Sequence, residues 1–246
     1  MLYFRPSIRA VIFDFVNTLV PLREQEFLRI LQVAYDWVHS HIPHVPFDTF
    51  VQHYLQIRDE QYARNLPHLR ENDFYERMAT LWHRLTGHPP NPKTVYGMMQ
   101  RYTKAFSDVV EPAPYLPSLL HALSEQYLLG VLSNYPYTPC VYRVLTRHRV
   151  SRYFAVIRVS AETGIVKPHP DLFKITLYQL GVPSEQAVFV GDDWCADVVG
   201  ASRIGMRSIY THEWRVDPDP CENLEGATPV AQISSLIELP GILRDL

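Results

Sequence analysis

The chain has 246 residues, 47% of them hydrophobic, and a formal charge of −3 from 23 basic and 26 acidic side chains without long blocks of either sign. That supplies a packed interior, either as one large domain or as a core with a sizeable insert. It advertises no nucleic-acid or anionic-membrane surface, so a small molecule is the expected partner. No apolar run approaches the ~20 residues that span a bilayer. The start, Met1-Leu2-Tyr3-Phe4-Arg5-Pro6, lacks the plan of a signal peptide, and a cytoplasmic location is expected. Nothing in the sequence sets an oligomeric state. Cys140, Cys195 and Cys221 are odd in number and form no Cys-x-x-Cys pair, so neither a disulfide nor a zinc site is expected of them.

In chain order, residues 9–15 are a short β-branched and aromatic run that reads as a buried strand ending near Asp14. Apolar residues then recur at helical spacing over 22–41, 47–63, 73–85 and 94–106, with prolines at the boundaries. Glu111-Pro112-Ala113-Pro114 is a stiff connector. Beyond it, strands are expected at 128–132, 154–159, 187–190 and 207–210, and helices at 115–126, 138–148, 170–180 and 195–204. This alternation implies a parallel sheet with helices on both faces. Residues 211–226, polar and rich in Pro and Asp, read as a surface loop. The expected division is therefore an α/β core of residues 1–20 and 109–246 and a helical unit of residues 21–108.

Candidate chemistry sits where strands or loops end. Asp14 closes the first strand, with Val16 two residues on and Thr18 four residues on; an acid there either makes local backbone bonds or acts chemically. Ser133-Asn134 ends the second strand, as helix caps or as a grip on anionic oxygens. Lys167 lies in Gly164-Ile165-Val166-Lys167-Pro168, between a glycine turn and a proline-bracketed helix start, poised to bring one ammonium to an anionic site. Asp192, Asp193 and Asp197 follow a strand ending in Gly191. Carboxylates so close repel one another, and a divalent cation or a basic partner is the natural reason to gather them; oxygen donors suit magnesium. Asp193 also reads naturally as an acid at a helix start.

These four segments, in this order, resemble the motifs of the haloacid dehalogenase-like hydrolase superfamily. The resemblance covers roughly residues 8–16 and 112–210, and residues 21–108 match in position the helical cap inserted after the first strand. It implies a Rossmann-like three-layer core with a smaller α-helical cap, and a phosphohydrolase acting on a small phosphorylated metabolite. Asp14 is then the nucleophile, with Ser133 and Lys167 as catalytic residues and Thr18 and Asn134 as substrate contacts. Mg2+ is implied at Asp14, the backbone carbonyl of Val16, Asp192 and Asp197, with Asp193 a more distant partner.

Val16 departs from the pattern. The aligned residue of family phosphatases is an Asp that protonates the leaving group and activates water. Superfamily dehalogenases also lack that Asp and carry Ser-Asn in the second motif, but use no magnesium and replace the first acid of the fourth motif. A carbon–halogen hydrolase and a non-catalytic, regulatory protein are the alternatives. The cap histidines His39, His41, His44, His53, His68, His83 and His88 are candidates to replace the missing acid, and Lys93 and Lys104 are the only cap lysines available for imine chemistry.

Overall fold

A computed structural model describes residues 7–215, 219, 221–222 and 226–246. Its centre is a parallel sheet in the order β3-β2-β1-β4-β5-β6, formed by β1 (Ala10–Phe13), β2 (Leu128–Ser133), β3 (Phe154–Val159), β4 (Ala187–Gly191), β5 (Arg207–Thr211) and β6 (Ala231–Ile233). All four residues of β1 are buried, because helices cover both faces and an Ala-Val-Ile-Phe run satisfies both. The sheet grows from β1 toward β3 on one side and from β4 toward β6 on the other. The crevice past the carboxyl ends of β1 and β4 is thus the point where strand order reverses. Register sets its depth: Phe13 lies level with Val131 of β2 and Val190 of β4, so the residues just after each share one edge.

Four helices, α1 (Glu24–His39), α2 (Phe47–Asn65), α3 (Phe74–Thr86) and α4 (Pro92–Val109), separate β1 from β2. Helix α1 packs along α4, and α2 along α3. Local chemistry sets their ends. The Asp73 side chain accepts from the Glu76 N–H at the start of α3, and Gly87 closes that helix at φ 74°, a left-handed value that glycine adopts without a Cβ penalty. Helix α4 begins two residues before the expected 94, because Asn91 caps it and Pro92 fits its first turn. Tyr102 and Phe106 of α4 meet Tyr135 after β2, the hydroxyls of Tyr102 and Tyr135 lying 3.2 Å apart. One continuous apolar cluster therefore runs from these helices into the sheet.

Helices α5 (Leu116–Ser124), α6 (Thr138–Arg147) and α7 (Pro170–Leu180) fall close to the sequence expectation. The expected helix at 195–204 is instead a π-helical turn, Trp194–Val199, leading into a short α8 (Gly200–Ser202). Strand β6 and α9 (Leu239–Arg244) were too short to give a periodic signal. No helix among the described residues is long and apolar enough to cross a membrane.

Two expectations are corrected. Residues 211–226 are not simply a surface loop: Thr211 ends β5 fully buried, and Asp219 is buried as well, accepting from the N–H groups of Trp194 and Cys221. The remainder of that segment lies partly outside the described residues. Cys195 and Cys221 form a disulfide, their Cα atoms 5.8 Å apart, leaving Cys140 as the free, buried thiol. A separation of 26 residues gives no local signal for this pair; the chain returning after β5 creates it. Titration of thiols in the denatured, unreduced protein is expected to find one per chain, and reduction to cost about 3 kcal/mol of stability. Three titratable thiols would show that the bridge does not form.

Candidate active site

The Asp14 N–H donates to the Val190 carbonyl at 2.8 Å, extending the β1–β4 ladder by one residue and fixing the aspartate at the strand-end crevice. Beyond it the chain turns sharply. Asn17 sits at φ 57°, its side-chain oxygen accepts from the Leu22 N–H, and Thr18 is buried with its hydroxyl donating to Asp192 Oδ1 at 3.2 Å. Lys167 enters from the loop before α7. Its Nζ donates to Asp14 Oδ1 at 2.6 Å and Asp197 Oδ1 at 2.7 Å, and its side chain is almost wholly buried.

Asn134 holds that lysine by its backbone. Its Nδ2 donates to the Lys167 carbonyl at 3.0 Å and its Oδ1 accepts from the Lys167 N–H at 2.8 Å. The same loop is braced by the segment between α2 and α3: the Val166 N–H donates to the Leu69 carbonyl and the Glu71 N–H to the Gly164 carbonyl, each at 3.0 Å. Ser160 Oγ donates to the Glu71 carboxylate and accepts from the Tyr135 N–H. Asp197 depends on Gly191, whose imagined Cβ would lie 2.0 Å from Asp197 Oδ2; only a glycine lets the carboxylate fold against the strand end. Exposed Asp193 caps the π-helical turn through the Ala196 N–H, the structural role that its place at a helix start suggested.

Asp14, Asp192 and Asp197 each offer an oxygen, all within 4.8 Å of one another, and all three are buried. Burial raises all three carboxyls. For Asp14, Lys167 opposes the effect; for Asp192, the other aspartates add to it; Asp197 rises to about 8 despite Lys167. Burial acts to lower the Lys167 ammonium, yet Asp14 and Asp197 outweigh it and the lysine is held charged. One ammonium cannot neutralise three carboxylates. Arg215 also approaches Asp192, its Nη1 lying 2.6 Å from the backbone carbonyl and 3.3 Å from Oδ2. An all-oxygen, acid-rich cluster of this kind fits a hard divalent cation such as magnesium. Ser133 Oγ is buried without a partner among the described residues, a donor left for an oxygen that the chain does not supply.

Val16 and Asn134 line a cavity of about 530 Å³, whose wall also includes Phe27, Tyr54, Arg58 and Arg77. None of the seven histidines lines it, nor do Lys93 and Lys104, so the sequence candidates for a substitute acid or an imine are not brought to this space.

The haloacid dehalogenase-like hydrolase family matches residues 11–211, spanning β1 to β5 with all four motifs. The chain belongs to this family. A glyceraldehyde 3-phosphate phosphatase of Pyrococcus furiosus is 26% identical to this hydrolase over 204 residues, covering 82% of this chain and 80% of that one. A ribulose-1,5-bisphosphate 5-phosphatase of Halopiger xanaduensis is 26% identical over 246 residues, covering 96% and 98%. The crystal structure of a 2-haloacid dehalogenase from Pseudomonas syringae pv. Tomato DC3000 is similar with a TM-score of 0.71 at 23% identity, covering 97% of this chain and 99% of that one. Likeness at that identity establishes the fold.

Asp14, Thr18, Asn134, Lys167, Asp192 and Asp197 are joined around one crevice, whereas the cap histidines, Lys93 and Lys104 do not line the cavity beside it. Sequence reasoning missed Arg215 and Asp219, hidden in a segment whose composition reads as solvent-exposed, and the arginines of the cavity wall, which carry no motif. Replacing Lys167 by Met leaves Asp14 and Asp197 facing each other, and is expected to destabilise the protein by about 3–5 kcal/mol in chelator-treated samples. Urea unfolding of both forms measures it; equal midpoints would show that the lysine contributes no net stability.

Proposed function

We propose that this hydrolase is a magnesium-dependent phosphatase that transfers the phosphoryl group of a small phosphorylated metabolite to Asp14 and then to water. The observation that carries the reading is the convergence of Asp14, Asp192 and Asp197, two of them bonded by Lys167, together with an unpartnered serine hydroxyl at the end of β2. Such a site accepts a cation together with the anionic oxygens of a phosphate. Relatives named for glyceraldehyde 3-phosphate and ribulose-1,5-bisphosphate support a small sugar phosphate or similar ester.

In this reading Asp14 attacks phosphorus, so that an aspartyl oxygen–phosphorus bond forms as the ester P–O bond breaks and the leaving oxygen keeps the electron pair. Lys167 and Ser133 balance charge on the transferring oxygens, and Asn134 fixes the lysine backbone while facing the substrate space. Thr18 orients Asp192 and closes the turn after the nucleophile. The Mg2+ held by Asp14, the Val16 carbonyl and Asp192, with Asp197 directly or through water, supplies Lewis-acid stabilisation of the phosphoryl charge when bound. Residues 21–108 serve as the cap over a core of residues 1–20 and 109–246.

Val16 supplies no proton to the leaving group. General acid–base assistance is worth ~10²–10⁴-fold, so turnover is biased toward esters whose leaving groups depart unaided, such as aryl and acyl phosphates. A dehalogenase reading is favoured by Val16 and by Ser133-Asn134, and opposed by Asp192, an acid where superfamily dehalogenases carry neutral residues. Val16 is also what supports a regulatory, non-catalytic reading.

Initial rates with para-nitrophenyl phosphate test the choice. Turnover is expected to require magnesium and to vanish in Asp14→Asn, and Val16→Asp is expected to raise the rate on alkyl phosphates by about a hundredfold or more, within the ~10²–10⁴ range for an acid–base group. Halide release from 2-haloacids without phosphate release would replace this reading with the dehalogenase one. Failure of both assays would favour the regulatory role.

A further inference from the structure

Arg77 of α3 is a buried cation with no ion-paired carboxylate among the described residues. Its residue is 2% exposed. Nε donates to Gln61 Oε1 at 2.8 Å and Nη1 to the Tyr54 hydroxyl at 3.4 Å, both neutral acceptors. Nη2 has no hydrogen-bond partner, and no carboxylate forms an ion pair with the guanidinium, among the described residues. Glu71 is near enough to feel the charge, but its carboxylate is engaged by Ser160 Oγ and the Asn72 N–H. Glu76 is paired with Arg64.

Magnitudes show what is missing. The rings of Tyr54, Tyr62 and Phe74 lie 5.7 Å, 5.8 Å and 5.8 Å from the guanidinium carbon. Such ring contacts offset part of the cost of removing the ion from water but supply no counter-charge. An apolar side chain of similar volume would fill this place without that cost. A guanidinium kept there has a use, and its fork matches a carboxylate or phosphate.

Its position supplies the use. Arg77 lines the same cavity that reaches Val16 and Asn134, with Arg23 and Arg58 also on the wall; the single carboxylate there is the exposed Glu24. Arg58 is paired with Asp59, so the cation in this space without a paired carboxylate and screened from bulk water is Arg77, where an ion pair is strongest.

We propose that Arg77 anchors a second anion subsite: the phosphate ester cleaved at Asp14 carries a further carboxylate or phosphate on its leaving group, and Arg77 binds it. This rests on the phosphatase reading above. Binding energy from that remote anion is available to position the ester at Asp14, which offsets part of the loss at Val16.

Matched aryl esters test it. With 4-ethylphenyl phosphate as the uncharged reference, kcat/KM is measured for 4-(carboxymethyl)phenyl phosphate and 4-(phosphonomethyl)phenyl phosphate, whose methylenes keep the leaving groups alike. The protein is expected to favour at least one anionic ester by about ten- to a hundredfold, the worth of a charge-assisted hydrogen bond. Arg77→Met is expected to bring that ratio near one and Arg77→Lys to keep part of it; which anionic ester leads identifies the group. A parent ratio near one, or a ratio that survives Arg77→Met, overturns the subsite. Should Arg77→Met fail to fold, the parent ratio and Arg77→Lys decide. If no ester is turned over, the phosphatase reading fails separately, and calorimetry with 4-phosphonobutanoate against butylphosphonate decides the subsite: tighter binding of the carboxylate-bearing probe, lost in Arg77→Met and weakened in Arg77→Lys, supports it, and equal affinities overturn it.

Discussion

The ammonium of Lys167 between Asp14 and Asp197 is the contact on which the rest of the crevice depends. Three buried carboxylates this close would expel one another or take up protons without a cation, and the lysine supplies enough charge to hold two of them in place. The remaining imbalance is what makes the site receptive. Asp192 shares Arg215 through its backbone and side chain, while Ser133 holds out a hydroxyl with nothing to donate to. A site in which protein groups satisfied every charge and every donor would have no reason to bind a cation or a phosphate.

Geometry at this scale comes from the sheet. Parallel register puts Phe13, Val131 and Val190 side by side, so one residue past β1 and two past Val131 and Val190 bring Asp14, Ser133 and Asp192 to the same edge. The π-helical turn after β4 then carries Asp197 back over Gly191, where any side chain would collide with it. Rigid strands determine where each group starts, and short irregular turns aim it.

Legibility in the sequence followed the range of the interaction. Strands such as 154–159 and helix 170–180 could be read to the residue, because their apolar pattern and flanking turns are local. Asp14, Lys167 and Asp197 were legible because each occupies a recognisable turn. The disulfide, Arg215 and Arg77 were not, since no motif marks them and their significance comes from partners such as Cys221, Asp192 and Tyr54 that only the fold brings near. Cap histidines drew attention by type alone, yet the cavity wall turned out to be built from arginine and tyrosine. In Val16 the sequence was more informative than the fold, since only the side chain's identity separates it from the Asp that the family resemblance implies at this position.

The loop that delivers Lys167 is held from two sides, by Asn134 of the core and by the backbone of residues 69 and 71 from the helical insert. Swinging the insert away as a rigid body has to stretch those two inter-segment hydrogen bonds or draw residues 164–166 along with it. The ammonium that pairs with Asp14 is therefore mechanically tethered to the helical insert. Displacement of the insert and loosening of the lysine are coupled through the same backbone, so the charge pairing of Asp14 and Asp197 is complete only with the insert seated.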